Sequence, residues 1–218
     1  MVDKQHWLDR WQENRIGFHE GAVNRHLQTY LPQFSLQPGT CIFLPLCGKS
    51  HDIAWLAEQG YEVIGIELSA IAIEAFFAEH QLEYERFGSD RFGVYEAERI
   101  TLLQGDFFDL RNDDLGACSF VYDRASLIAM STAHRPRYFE HMLSITPAVS
   151  SMLLITLDYD QSEMQGPPFA VSAEEIYRFY GQTFSINLLE SNDIIDELPR
   201  WREAGLSALA ESVFRLDR

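Results

Sequence analysis

Apolar residues recur along the chain at two spacings, and the first part of the sequence shows the helical one. Trp7 and Trp11 are four residues apart, and a second helical pattern covers about residues 23–31. The stretch at residues 16–19 separates the two patterns and contains a glycine, which is typical of a hinge between helices. We therefore predict a helical cover over residues 1–35.

Beyond residue 35, short apolar runs alternate with helical patterns. The runs typical of buried strands lie at residues 40–44, 61–66, 100–103, 118–122 and 152–157. The helical patterns lie at about residues 50–59, 69–80, 134–144 and 173–180, and Ser69 is a candidate N-cap. Right-handed strand–helix–strand crossovers produce this alternation. We therefore predict an α/β fold with a doubly wound, mostly parallel sheet of seven strands over residues 36–218.

Two parts of this region depart from the alternation. Residues 81–98 show no clear period, and we expect a loop with a short extra strand at residues 92–95. Near the end of the chain, two β-like stretches at residues 183–189 and 209–216 have no such helical pattern between them, which predicts a C-terminal antiparallel strand pair. The length suits a single domain, residues 1–218.

The composition narrows the class of protein. Hydrophobic residues make up 46% of the 218 and charged residues 23%, as is ordinary for a globular protein. The net charge of −16, from 33 acidic and 17 basic residues, argues against nucleic-acid and anionic-membrane partners. No apolar stretch approaches the roughly 20 residues of a membrane span, and residues 1–7 lack the apolar core of a signal peptide. We therefore expect a cytoplasmic protein.

The three cysteines Cys41, Cys47 and Cys118 are widely spaced and lie mostly in apolar runs. They form no CxxC pair and have no zinc-type spacing to a histidine, so we expect no metal site. We expect all three to be small, buried, unpaired side chains in a reducing compartment.

Ligands of open α/β sheets bind beyond the carboxyl ends of the strands, so the residues there are candidates for a site. The first strand is followed by Gly48-Lys49-Ser50, which is similar to the end of a phosphate-binding loop. That motif requires a glycine where this chain has Phe43. The dinucleotide fingerprint is also missing, because only Gly48 is present. A protein that binds a sulfonium nucleoside needs fewer glycines in this turn, because that ligand has no pyrophosphate. The alternative interpretation is that residues 45–50 form an ordinary strand–helix turn without a ligand.

Acidic residues follow the second and third strands. Glu67 lies about twenty residues beyond the first turn, where an acid can accept hydrogen bonds from both ribose hydroxyls of a nucleoside. This interpretation fits NAD and S-adenosylmethionine equally, and a solvated strand-end acid is the alternative. Asp106 can bind an adenine amino group while Phe107 or Phe108 covers the ring, and we expect at least one of these phenylalanines in the core.

Two opposite charges, Asp123 and Arg124, come directly after the fourth apolar run. We expect both to point toward the cleft, because charged side chains are disfavoured in an apolar core. Arg124 stays protonated and can hold a carboxylate or orient an anionic nucleophile. The alternative is a local ion pair that caps the next helix.

Together these motifs resemble the thiopurine S-methyltransferase family, especially its bacterial members, over nearly the whole chain. The matching segments are Trp7-x3-Trp11 and residues 16–19, 45–50, 65–69, 105–108, 122–125 and 166–169. The Pro45-Leu46-Cys47-Gly48-Lys49 turn is the most specific of them. The resemblance implies a class I, Rossmann-like S-adenosylmethionine-dependent methyltransferase, whose topology the C-terminal strand pair fits better than that of a dehydrogenase.

The resemblance also implies roles for individual residues. S-adenosylmethionine, and S-adenosylhomocysteine as product, would lie across the carboxyl ends of the first four strands. The residues implied in cofactor binding are Trp7, Trp11, Leu46, Gly48, Glu67, Leu68, Asp106, Phe107 and Arg124. Phe18 and Pro168 would form apolar walls for a flat substrate. Arg200, or Arg202 in a shifted alignment, would lie at the substrate side.

Enzymes of that family methylate aromatic and heterocyclic thiols, and its bacterial members are associated with selenium and tellurium compounds. Their reaction is an in-line displacement at a sulfonium methyl, and positioning the nucleophile in a dry pocket supplies most of the catalysis. An acidic thiol is already largely ionised, so a general base is optional. We expect Arg124 to be catalytic and Asp123 to relay a proton through water. The resemblance further implies a monomer.

Three other function classes fit parts of the sequence. Residues 166–169 are similar to the Asn/Asp-Pro-Pro-aromatic motif of adenine-specific nucleic-acid methyltransferases, but Gly166 has no side chain to accept a hydrogen bond. A nicotinamide-dependent oxidoreductase lacks its glycine fingerprint here. A small-molecule-binding protein that keeps the S-adenosylmethionine fold without turnover is the remaining alternative, which an activity assay distinguishes.

Overall fold

The computed structural model describes residues 4–88 and 90–218, and a nine-stranded sheet runs through this part of the chain. The strands are β1 (Cys41–Leu44), β2 (Glu62–Glu67), β3 (Glu85–Gly88), β4 (Gly93–Ala97), β5 (Ile100–Gln104), β6 (Phe120–Arg124), β7 (Ser151–Asp158), β8 (Ser185–Asp193) and β9 (Ala210–Asp217). Their order across the sheet is β3-β4-β5-β2-β1-β6-β7-β9-β8.

The five central strands, β5, β2, β1, β6 and β7, are parallel, and β9 and β8 follow as an antiparallel pair. This arrangement confirms the predicted fold class. The central strands read as continuous apolar runs because helices cover both faces of a parallel sheet. The chain order reverses between β1 and β6, and this is the point where α/β sheets bind ligands.

The sheet has two strands more than the predicted seven. In place of the one short strand expected near residues 92–95, β3 and β4 form a hairpin that pairs with β5 in antiparallel direction. All four residues of β3 are exposed, so the segment lacks the alternation of buried and exposed positions by which a sequence indicates a strand.

The helices are α1 (Lys4–Gln12), α2 (Arg25–Tyr30), α3 (His51–Glu58), α4 (Ala70–His80), α5 (Asn112–Leu115), α6 (Arg135–Ile145), α7 (Ala173–Tyr180) and α8 (Pro199–Glu203). The Ser69 hydroxyl accepts from the Ala72 N–H, which confirms the predicted cap of α4. Ser50 caps α3 in the same way through the Asp52 N–H. Among the described residues, no helix is long and apolar enough to cross a membrane.

Two large apolar layers lie on opposite faces of the sheet, because alternate residues of a strand point to opposite sides. Ile42 and Leu44 belong to the layer under α2, α3 and α4, which includes Phe76. Phe43 belongs to the layer under α6 and α7, which includes Tyr138. The two layers hold the strand ends in place, and the residues beyond them are free to form a site.

The expectation of three unpaired cysteines is wrong for two of them. Cys41 and Cys118 form a disulfide with 4.4 Å between their Cα atoms. The pairing follows from the sheet order, because Cys41 begins β1 and Cys118 comes just before the neighbouring strand β6. Cys47 is a free thiol, and burial raises its pKa well above the usual value.

Candidate active site

A cavity of about 840 Å³ opens at the carboxyl ends of the parallel strands. Its floor is formed by the ends of β1, β2 and β6 at Leu44, Glu67 and Arg124, together with the loop after β5. Its roof is the segment from Lys4 to Arg25, which we call the lid and which consists of α1 and the connection to α2. The site therefore lies between the sheet and a cover that is continuous in sequence.

The residues that the resemblance implied for the cofactor line this one cavity. They are Trp7, Trp11, Leu46, Gly48, Glu67, Leu68, Asp106, Phe107 and Arg124. Phe18, Pro168 and Arg200, which it implied for the substrate, line the cavity as well. Arg202 does not line it and forms an ion pair with Asp196 instead, so the geometry favours Arg200 of the two arginines.

Glu67 ends β2 with a buried carboxyl group. The Gly48 N–H donates to Oε2 at 3.0 Å, and the Ser69 N–H donates to Oε1 at 2.8 Å. Burial raises the pKa of Glu67 to about 7, although these backbone donors lower it in part. Each carboxylate oxygen keeps a further lone pair, and the group is therefore fixed as a two-point acceptor, as a pair of ribose hydroxyls requires.

The turn after β1 brings the backbone close to the lid. Leu46 and Gly48 both have positive φ angles, of 45° and 55°. A Cβ atom built on Gly48 would lie 3.2 Å from the indole of Trp11, so a larger residue would press against that ring. Trp11 itself is only 6% exposed. Gly48, which the sequence analysis compared with a phosphate-binding loop, thus allows Trp11 of the lid to pack directly on the backbone of the turn.

The lid is held together by aromatic contacts. The rings of Trp7 and Trp11 each meet Phe18 edge-on with 5.5 Å between centroids. The guanidinium of Arg10 lies over Phe18 at 5.4 Å. These contacts join the helix to the connection that follows it, so the lid covers the cavity as one body.

The loop after β5 carries the residues implied for adenine. Lys4 of the lid forms an ion pair with Asp106 at 2.5 Å, and the Phe108 N–H donates to the same carboxylate at 3.0 Å. Phe107 borders the cavity, but its ring is 1% exposed and stacks on Tyr138 at 4.9 Å. It is therefore largely a core residue that supports the loop.

Arg124 ends β6, and its side chain, which is 15% exposed, lines the cavity. It forms an ion pair with Glu20 of the lid, and burial and charge act on its pKa in opposite directions. Desolvation lowers this pKa, but Glu20, Tyr122 and Asp52 together raise it above the usual value. Arg124 therefore carries a permanent positive charge into the site.

Asp123 was expected to point into the cleft, and that expectation is wrong. Its carboxylate is fully buried on the opposite face of the sheet, where it accepts from the Tyr138 hydroxyl at 2.7 Å and the Leu127 N–H. Burial raises its pKa to about 6. Because neighbouring strand residues point to opposite faces, Asp123 and Arg124 cannot both reach the cavity. The proton relay assigned to Asp123 has no geometric basis.

Several cavity residues were missed by sequence reasoning. Asp52 of α3 accepts from the Tyr122 hydroxyl at 3.0 Å and from the Asn24 N–H at 2.8 Å, which ties the end of the lid to the sheet. Other missed residues of the lining are Arg10, His19, Glu20, Ile128, Met130 and Trp201. An acidic residue in the first turn of a helix is common because it stabilises the helix dipole, so the sequence did not mark Asp52 as a cavity residue.

Solved structures of known enzymes share this architecture. An S-adenosylmethionine-dependent methyltransferase from Anabaena variabilis matches with a TM-score of 0.64 at 15% identity, covering 99% of this chain and 95% of the other. The magnesium protoporphyrin IX methyltransferase of Synechocystis, solved with bound S-adenosylhomocysteine, matches with a TM-score of 0.64 at 17% identity, covering 99% and 100%. The chain therefore has the fold of S-adenosylmethionine-dependent methyltransferases.

Sequence comparison gives the family. The family model described as thiopurine S-methyltransferase matches residues 2–218. The thiopurine S-methyltransferase of Nitrosospira multiformis is 46% identical, covering 99% of this chain and 98% of the relative, and that of Pseudomonas putida is 45% identical, covering 97% and 98%. The chain belongs to the thiopurine S-methyltransferase family, and its methyl donor is S-adenosylmethionine.

Proposed function

We propose that this enzyme transfers the methyl group of S-adenosylmethionine to the sulfur of small aromatic or heterocyclic thiols. The single observation that carries the proposal is that flat apolar side chains and a buried arginine line one cavity. Phe18 and Pro168 supply flat walls, and the buried Arg124 supplies a cation. A planar ring with one soft, anionic atom suits such a pocket. Selenium and tellurium compounds are proposed as further acceptors, because they are soft nucleophiles of the same kind.

We propose that a second set of residues in the same cavity binds the donor. The Glu67 carboxylate would accept hydrogen bonds from the ribose hydroxyls, and Asp106 would contact the adenine amino group. Leu46 and Gly48 would offer backbone groups, while Trp7 and Trp11 would exclude water from above. When bound, S-adenosylmethionine supplies an electrophilic methyl group on a sulfonium.

The chain's own contribution to catalysis would be positioning. Arg124 and Arg200 both line the cavity, and either cation can hold a thiolate by charge. Holding the nucleophile in line at about 3 Å in a dry pocket supplies the greater part of the rate, and no metal is required. The acceptor would bind as a thiolate, which removes the need for a dedicated base such as Asp123.

We further propose that the chain acts as a single-domain monomer in the cytoplasm. One continuous sheet and a site completed within the chain support the first two points. In a reducing cytoplasm the Cys41–Cys118 pair would be a dithiol for part of the time. The proposed partners are small molecules, and the charge of −16 argues against nucleic acid.

Calorimetric titration with S-adenosylhomocysteine, followed by methyl transfer to a thiopurine, tests the proposal. Glu67→Ala should weaken binding by at least about 100-fold, because it removes charge-assisted hydrogen bonds. Glu62→Ala, at the other end of β2 and paired with Arg99, is the matched control and should bind normally.

Each outcome has a distinct meaning. Binding with turnover of the thiopurine supports thiol methylation. Binding without turnover on thiols, selenols or tellurides would overturn the proposed acceptor class and favour a binding protein without transfer. Hydride transfer with a nicotinamide cofactor would support an oxidoreductase instead.

A further inference from the structure

The charge of Arg124 is already taken up in the structure by a residue of the lid. Glu20 lies in the connection between α1 and α2, and its carboxylate forms an ion pair with the Arg124 guanidinium. The Arg124 side chain is 15% exposed, whereas that of Glu20 is 48% exposed. An acidic side chain from the lid thus occupies the position where an acceptor anion would bind.

The acids around Arg124 differ in how firmly they are held. Asp52 is buried and accepts from the Asn24 N–H and the Tyr122 hydroxyl, so it is fixed. Glu20 accepts one further hydrogen bond, from the Asn24 side chain at 3.3 Å, and about half of its side chain faces solvent. Glu20 is therefore the partner that an incoming ligand meets and can displace.

The other arginines of the cavity determine how much negative charge of an acceptor can be compensated. Arg25 is paired with Glu197 and Glu211. Arg10 donates to a backbone carbonyl and lies over the rings of the lid. Arg200 has no acidic ion-pair partner among the described residues. Arg10 has no acidic ion-pair partner among the described residues either, but its guanidinium is held against the rings of the lid. With Glu20 in place, the charge of the buried Arg124 is already compensated, and Arg200 is left to take the single charge of a thiolate.

Resting on the proposed function, we propose that Glu20 is a specificity-determining residue that selects acceptors with a neutral ring and discriminates against acceptors that carry a carboxylate. A carboxylate-bearing thiolate brings two negative charges. It must either displace Glu20 from Arg124 or bind beside it, and both cost free energy. Removal of the Glu20 charge leaves a second guanidinium available and lowers this cost.

The test uses two acceptors of the same shape, 4-mercaptobenzamide and 4-mercaptobenzoate. In Glu20→Gln the ratio of kcat/KM for the benzoate to that for the benzamide should rise about tenfold, which corresponds to about 1.4 kcal/mol. Glu20→Asp keeps the charge and should keep most of the discrimination. Glu13→Gln is the matched control, because Glu13 pairs with Arg15 on the exposed part of the lid.

A second measurement separates this proposal from the proposed function. Benzoate and benzamide have no thiol, so calorimetric binding of these two compounds reports on the charge of the pocket without any methyl transfer. Benzoate should bind about tenfold more tightly to Glu20→Gln than to the unmodified chain, and benzamide should bind equally to both. If benzoate binding improves but no thiol is methylated, selection by Glu20 stands and the proposed function fails. An unchanged benzoate-to-benzamide ratio in binding and in turnover would overturn the role of Glu20.

Discussion

A charged carboxylate is the form of Glu67 that best accepts hydrogen bonds from two ribose hydroxyls, as proposed, yet the group is buried where charge is unfavourable. The backbone N–H groups of Gly48 and Ser69 donate to its two oxygens and so stabilise the charged form in part. The remaining cost raises its pKa to about 7, well above the usual value for a glutamate. The ionisation of this residue therefore changes near neutral pH.

Donor binding should consequently weaken as the pH falls below about 7. Below that value Glu67 binds a proton, loses its charge and offers fewer acceptor positions to the ribose hydroxyls. The dissociation constant for S-adenosylhomocysteine should rise about tenfold per pH unit in this range, and it should level off above pH 8. Calorimetric titrations between pH 5.5 and 8.5 measure this, with Glu67→Gln as the control. A constant affinity in the unmodified chain, or the same slope in the control, would contradict the assignment.

At the scale of single residues, the sequence predicted which strand-end residues line the cavity in most cases, but it did not predict the direction of every side chain. Glu67, Asp106 and Arg124 line the cavity as expected. Asp123 does not, because the strand was expected to end at residue 122 and instead continues to Arg124. Once the strand includes both charges, the alternation of faces sends one of them into the core, where Tyr138 satisfies it.

The lid is the element whose attachment the structure explains most directly. Trp11 is its anchor, since the indole lies between Phe18 and the backbone of Gly48. Lys4 adds an ion pair to Asp106, but the Lys4 side chain is 45% exposed, so this contact contributes little.

Trp11→Ala should therefore loosen the lid much more than Lys4→Met. Loss of the buried ring removes the contacts that join α1 to the turn, and S-adenosylhomocysteine should bind at least about tenfold more weakly. Proteolysis within α1 should become faster, whereas Lys4→Met should stay within about threefold of the unmodified chain in affinity. Equal protease resistance of the Trp11 variant and the unmodified chain would show that the anchor lies elsewhere.

At the scale of elements, the pattern predicted the central strands and helices because parallel strands and their covering helices bury long apolar runs. The C-terminal pair was also expected, and β8 and β9 confirm it with bounds shifted by a few residues. The β3–β4 hairpin was predicted only in part, because the outer strand buries none of its side chains. The packing of α1 against Phe18 could not be predicted from the sequence, because it depends on aromatic contacts between segments on the two sides of a hinge.

The disulfide connects distant parts of the chain and so affects the molecule as a whole. Cys41 and Cys118 are separated by 77 positions, and closing a loop of that length restricts the unfolded chain. Neither cysteine lines the cavity. The bond should therefore stabilise the fold without taking part in the chemistry.

Reduction of the disulfide should lower the free energy of unfolding by about 4 kcal/mol and leave kcat unchanged. Urea denaturation with and without reductant measures the first effect, and a methyl-transfer assay on the same samples measures the second. The double variant Cys41→Ala, Cys118→Ala should show no response to reductant. Identical unfolding of the oxidised and reduced protein would contradict a stabilising bond.

One continuous lid carries Trp7 and Trp11, which are proposed to cover the donor, together with Phe18 and Glu20, which are proposed to face the acceptor. On that proposal, a closed lid would hinder the exchange of both ligands, so their binding and release would depend on the same movement. The frequency of lid opening would then set an upper limit on turnover, and a kcat that falls as solvent viscosity rises would show that the enzyme works at this limit.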